Sequence, residues 1–169
     1  MTLDGMRLDG TRLGGMRFSG TVGALAALLL LLPLGLAACG PAPDPMAPPE
    51  IVYGEDVCDA CGMIISEERF AAAAIVSGAD GPTARKFDDI GDMLDYHARN
   101  PEVEILRWYV HDHDSLKWLD AMTASFVRSQ QLGTPMGSGI AAFADAAAAE
   151  AKAQELGTEV LGFDALLSE

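Results

Sequence analysis

From residue 51 onward the apolar positions fall into short runs, each with the period of a strand or of a helix. Phe70 to Ser77 is almost wholly apolar and stops at Gly78-Ala79-Asp80-Gly81-Pro82, a turn signal, after which Arg85 to Phe87 reads as a returning strand. The alanines at 71 to 74 would also suit a helix, but the turn and the return favour a strand. Ile90, Met93, Leu94 and His97 recur at helical spacing behind Asp88 or Asp89, either of which can cap a helix, and Asn100-Pro101 ends it. Glu104 to His113 then alternates, with Leu106, Trp108 and Val110 on one face and Arg107, Tyr109, His111 and His113 on the other. Ala124 to Val127 is its expected partner strand, and Gly133 to Gly139 a loop. Ser138 is expected to cap a long alanine-rich helix with a stripe of Ile140, Phe143, Ala147 and Ala151, stopped by Gly157, and Thr158 to Phe163 reads as a last strand. The prediction is an α+β fold of two small strand-strand-helix-strand units, about 51–100 and 101–169, with helices to one side of small sheets.

The first 38 residues follow a different rule. Arg7, Arg12 and Arg17 precede an apolar run from Val22 to Leu32, and after Pro33 the run closes on Leu36-Ala37-Ala38-Cys39. A basic leader, a short apolar stretch and small residues at a cleavage site make an exported signal over 1–38. A spanning helix needs about 20 unbroken apolar residues, more than this stretch holds. Its last four residues resemble the bacterial lipobox, so Cys39 is expected to carry the lipid. Residues 39–50, rich in proline, are expected to form an extended tether to a domain at 51–169. Gly40 is not the aspartate that commonly retains such proteins at the inner membrane, which favours an outer-membrane anchor facing the periplasm.

Charge narrows the partners. Loss of the leader removes three arginines with Asp4 and Asp9, taking the formal net charge from −14 to −15. Nucleic acid is excluded as an expected partner, because phosphate binding relies on a surplus of lysine and arginine. Anionic lipid would be repelled too, leaving the acyl chains to hold the protein at the membrane.

With Cys39 acylated, Cys58 and Cys61 are left as each other's only intramolecular option in an oxidising compartment. They stand in Cys58-Asp59-Ala60-Cys61-Gly62-Met63. A thioredoxin-type pair usually opens a helix, with an aromatic and a proline nearby. Haem attachment needs histidine directly after the second cysteine, where this chain has Gly62. Structural zinc wants a second pair of cysteines or histidines. Thiolate together with the Met63 thioether is a soft donor set that favours Cu(I). Set against this, Met63 can be an ordinary core residue beside a disulfide.

From Cys58 to Phe163 the chain resembles the NosL family, periplasmic lipoprotein copper chaperones associated with maturation of nitrous oxide reductase. The resemblance is carried by CDACGM at 58–63, KFDDIGDM at 86–93, WYVHD at 108–112 and TPMGSGIAAF at 134–143, in the family's order and behind a lipobox. It implies two α+β units similar to the organomercurial-lyase core, one bound Cu(I) and no catalysis. It implies Cys61 and Met63 as ligands, with Cys58 also matching. The partners it implies are nitrous oxide reductase and its membrane-associated maturation machinery, with the chaperone a monomer. The rivals are a tethered thiol-disulfide oxidoreductase using Cys58 and Cys61, an organomercurial lyase, and a structural lipoprotein with one disulfide.

His111, His113 and Met136 are the candidates for a remaining ligand, while a second metal such as zinc is left open. Met93 and Met122 are expected in packing, His97 at the boundary of a helix, Met46 in the tether, and Asp88 and Asp89 as a cap before any role behind the metal ligands.

Overall fold

Ala72–Val76 forms β1, and its five residues are all buried. A strand with neighbours on both edges and packing on both faces selects small and β-branched side chains without alternation, and two ladders override alanine's helical preference. On one edge lies β2, Thr83–Phe87, antiparallel from Ala72↔Phe87 to Val76↔Thr83. On the other lies β3, Ile105–His111, also antiparallel, with a register shift between Ile75 and Val76. A short β4, Trp118–Asp120, completes a sheet of order β2-β1-β3-β4. Between β2 and β3 runs helix α1, Ile90–Arg99, whose N-cap Asp89 accepts from the Gly91 N–H at 2.8 Å. The chain described here is a computed structural model covering residues 44–168; the expected signal, Cys39 and the first part of the tether lie outside these described residues.

The second unit repeats the plan. Ser125–Arg128 (β5) is central, Ile140–Phe143 (β6) and Val160–Leu161 (β7) flank it, and Ala146–Leu156 (α2) connects them. Its order is β6-β5-β7, with both pairings antiparallel. A short α3, Phe163–Leu167, follows. Each unit thus runs strand-strand-helix-strand with its first strand in the middle, the α+β plan expected.

Three assignments are corrected. The strand at 104–113, placed with the second pattern, is β3 of the first sheet, because its hydrogen-bonding partner is β1. The alanine-rich helix starts at Ala146 under an Asp145 cap, not at Ser138. Ile140–Phe143 is instead a fully buried strand paired with β5, so ladder bonds won over alanine propensity there as in β1. The helix therefore buries Ala149 and Ala153, while Ala147 and Ala151 are exposed. Finally, the expected strand at 158–163 keeps only Val160–Leu161 before α3 begins.

The two sheets are stitched where β3 ends. Asp112 bridges Ala142 of β6, the His113 N–H donates to the Ala142 carbonyl at 2.8 Å, and Asp112 Oδ1 accepts from the Ala144 N–H at 2.8 Å. One apolar cluster then joins Phe87, Ile90 and Met93 to Phe126, Ile140 and Phe163. A smaller one packs Val127, Ala141 and Phe143 against the alanines of α2. The first turn of α1 meets the loop before β6 closely: a Cβ on Gly91 would lie 2.5 Å from the Ser138 Cβ, so only glycine fits. Among the described residues no helix is long and apolar enough to cross a membrane.

Candidate metal centre

The sulfur-bearing stretch is a closed turn. Val57 and Ile64 form an antiparallel bridge, the Cys58 N–H donates to the Met63 carbonyl at 2.8 Å, and the Gly62 N–H donates to the Cys58 carbonyl at 3.0 Å. Reversing the chain in so few residues puts Gly62 at φ +76°, a region that costs a residue with a Cβ about 1–2 kcal/mol. Space is not the constraint, since a Cβ there would meet nothing within 4 Å.

Asp59 fastens this turn to the end of β2. Its N–H donates to the Lys86 carbonyl at 2.8 Å, its Oδ2 accepts from the Lys86 N–H at 2.7 Å, and Arg85 reaches its Oδ1 at 3.2 Å. The Lys86 ammonium meets Asp56 Oδ2 at 2.7 Å. Exposed ion pairs contribute little by themselves; the backbone bonds fix the turn's place.

Helix α1 supplies the third member. Asp88 is buried and accepts from the Ser66 N–H at 2.8 Å, and Asp89 caps the helix. One turn on, Asp92 is buried, and its Oδ2 accepts the Cys58 thiol proton at 3.2 Å. The Cys61 N–H points at the Cys58 Sγ at 3.5 Å. The ligand atoms of Cys58, Cys61 and Asp92 all lie within 4.8 Å of one another, a spacing that one metal ion can bridge.

Both cysteines are free thiols, Cys58 buried and Cys61 exposed. Although Cys61 is open as a residue, desolvation of its thiol comes first among the influences on it. The Asp92 carboxylate and the Cys58 sulfur add to that effect, a backbone hydrogen bond from Met63 opposes it, and the Cys61 pKa is pushed up to about 12. A metal ion bound there would have to displace that proton. Met63, exposed beside it, offers a thioether. Two thiols and one carboxylate, with a thioether two residues along the chain from Cys61, form a donor set that suits a soft ion, and Cys61 and Met63 are its exposed members.

The histidines are engaged elsewhere. His111 is buried; its Nδ1 faces the Leu116 carbonyl at 2.8 Å, which requires the proton there, and Nε2 then accepts from the Tyr53 hydroxyl at 3.1 Å. Its ring lies 3.8 Å from that of Trp118, and burial lowers its pKa against smaller opposing contributions from Leu116 and Glu68. Both ring nitrogens of this candidate ligand are therefore engaged within the fold. His113 pairs through Nδ1 with Asp114 at 2.9 Å and packs against Phe143. Neither joins the cluster of Cys58, Cys61 and Asp92.

The methionines divide as follows. Met93 is fully buried, as expected, whereas Met122 is exposed and not in packing. Met46 accepts through its carbonyl from the Tyr109 hydroxyl at 2.7 Å, so the end of the tether lies on the first sheet. Met136 is exposed, and its N–H donates to Asp89 Oδ2 at 3.1 Å. Because Asp89 also takes the Ser138 hydroxyl, Met136 is held beside the start of α1, where it shares with Asp92 the wall of a groove of about 440 Å³. Asp92 is the residue that sequence reasoning missed. The signal was there in Asp88-Asp89-Ile90-Gly91-Asp92, three carboxylates within one helical turn beside apolar core positions.

The sequence profile of the NosL family matches residues 49–169. The chain is 31% identical over 155 residues to the copper-binding lipoprotein NosL of Stutzerimonas stutzeri, covering 85% of this chain and 80% of that one. Its fold superposes on the crystal structure of the copper chaperone NosL from Shewanella denitrificans with a TM-score of 0.61, at 24% identity, covering 72% of this chain and 96% of that chain.

Proposed function

Because this chain belongs to the NosL family, we propose that it is a lipid-anchored periplasmic chaperone that holds one Cu(I) and delivers it to nitrous oxide reductase during that enzyme's maturation. Cys61 as thiolate and Met63 as thioether are the principal ligands, and Cys58 or Asp92 completes the set. Cys39 carries the acyl chains, with the outer membrane the preferred side, and the two strand-strand-helix-strand units are a scaffold like the organomercurial-lyase core without its chemistry. The carrying observation is the asymmetry of the cluster: Cys58 is buried and bonded to Asp92, while Cys61 and Met63 face solvent.

That asymmetry suits cargo rather than a permanent ion. Sulfur donors hold Cu(I), and an incoming sulfur or nitrogen from the acceptor can attack from the open side before the donor's own ligands leave. The departing thiolate of Cys61 regains its proton readily, given its raised pKa. No bond in a substrate is made or broken beyond those to copper. The acyl tether confines the search for the acceptor to the membrane surface and raises its effective concentration.

The oxidoreductase reading lacks support. An attacking thiol is activated at a helix start, whereas Cys58 and Cys61 occupy a turn and the Cys61 pKa is raised. Anaerobic competition with a Cu(I) chelator tests the proposal: Met63→Ala should lower affinity by about tenfold or more. Unchanged affinity in that variant would remove Met63 from the site.

A further inference from the structure

We infer that the surface around the exposed sulfurs is a docking face for a protein acceptor whose entrance is apolar at its centre and ringed by lysine and arginine. This rests on the copper-delivery reading above and adds to it where the acceptor sits.

Large exposed apolar side chains concentrate around the sulfur turn. Val52 is 43% exposed, Val57 55%, Met63 55% and Ile64 54%, all within thirteen residues that also hold both thiols. Val57 and Ile64 are cross-strand partners in the bridge that closes the turn, so their side chains stand side by side on its exposed surface. Exposed β-branched residues in a bridge that could equally use threonine are a cost in water, and an apolar patch with a polar rim marks a site of association.

The rim decides the occupant. Glu55 and Glu67 are exposed, three residues beyond Val52 and Ile64 respectively, whereas Arg85 and Lys86, which meet the turn, are bound to Asp59 and Asp56. On a chain of net charge −14 this rim repels a second copy and anionic lipid alike, and it complements a basic ring. Contact there would also exclude water from the ion as its ligands exchange.

The test uses the full lipidated chain, loaded anaerobically with Cu(I), and copper-free nitrous oxide reductase in membranes that contain its maturation machinery. Val57→Lys with Ile64→Lys should slow copper transfer about tenfold while chelator competition shows Cu(I) affinity within about twofold of the unaltered chain. The milder Val57→Thr with Ile64→Thr keeps strand preference and should slow transfer roughly threefold, covering any loss of folding in the lysine pair. Glu55→Lys with Glu67→Lys should slow transfer at roughly 50 mM salt and much less at roughly 300 mM. Equal transfer by the unaltered chain and all three variants would overturn the docking face alone. No transfer from the unaltered chain would remove the delivery reading and this face with it.

Discussion

The Cys58 thiol donates to Asp92 Oδ2 at 3.2 Å, tying the sulfur turn to the first turn of α1 across 34 residues of sequence. Through that bond the helix start does more than end a strand-to-helix connection. It sets the depth of one sulfur and leaves the other at the surface.

Removal of the Asp92 charge separates two roles. Asp92→Asn retains an acceptor for the thiol and should keep the fold, while lowering Cu(I) affinity by about tenfold if the carboxylate faces the ion. Asp92→Ala leaves the buried Cys58 thiol unpaired and should cost about 1–3 kcal/mol in urea unfolding. An Asn variant with full affinity would confine Asp92 to seating the turn.

Copper uptake should depend on pH. With the Cys61 pKa pushed up to about 12, the thiol is protonated at neutral pH and binding must expel that proton. Apparent affinity should therefore rise about tenfold per pH unit for each thiol proton displaced, from pH of about 6.5 to about 8.5. Proton release measured during titration checks it, and a flat profile would contradict thiolate ligation.

His113→Ala should leave Cu(I) affinity within about twofold, since its ring packs on Phe143 and pairs with Asp114. His111→Phe should unpair the Leu116 carbonyl and the Tyr53 hydroxyl and cost roughly 1–3 kcal/mol of stability with affinity unchanged. Loss of copper binding in a folded variant of either kind would return histidine to the ligand set.

Asp112 should make the join between the sheets acid-sensitive. Burial pulls its pKa up, but the Ser115 hydroxyl and the N–H groups of Ala144 and Ser115 outweigh that and hold it below the usual carboxylate range. A depressed carboxylate contributes stability that is full above its unfolded pKa of about 4 and lost as pH falls through the folded value. Asp112→Asn should therefore be less stable than the unaltered chain at pH of about 7, with the gap closing in acid as the native carboxyl protonates. Parallel unfolding profiles would show that these bonds do not depend on the charge.

The local parts of the fold and site were legible in the sequence, and the parts made by distant contacts were not. Asp89 as cap and the turn before β2 follow from neighbouring residues. So does the Cys61-Gly62-Met63 spacing, in which positive φ at Gly62 accompanies the chain reversal. Ile140–Phe143 was misread because alanine serves helix and strand alike, and only its pairing with β5 decides between them. His111 looked available because its partners, Tyr53 and Leu116, are supplied by other segments. The run of aspartates marks Asp92 as a polar position beside the core, but the thiol it accepts from lies 34 residues away in the chain.

The central claim is that sulfur holds the copper. X-ray absorption at the copper edge of the full chain, reduced and loaded with one Cu(I) under anaerobic conditions, reads the donor atoms directly. The account predicts at least two sulfur neighbours, one lost in Met63→Ala; a shell of nitrogen and oxygen alone would contradict it.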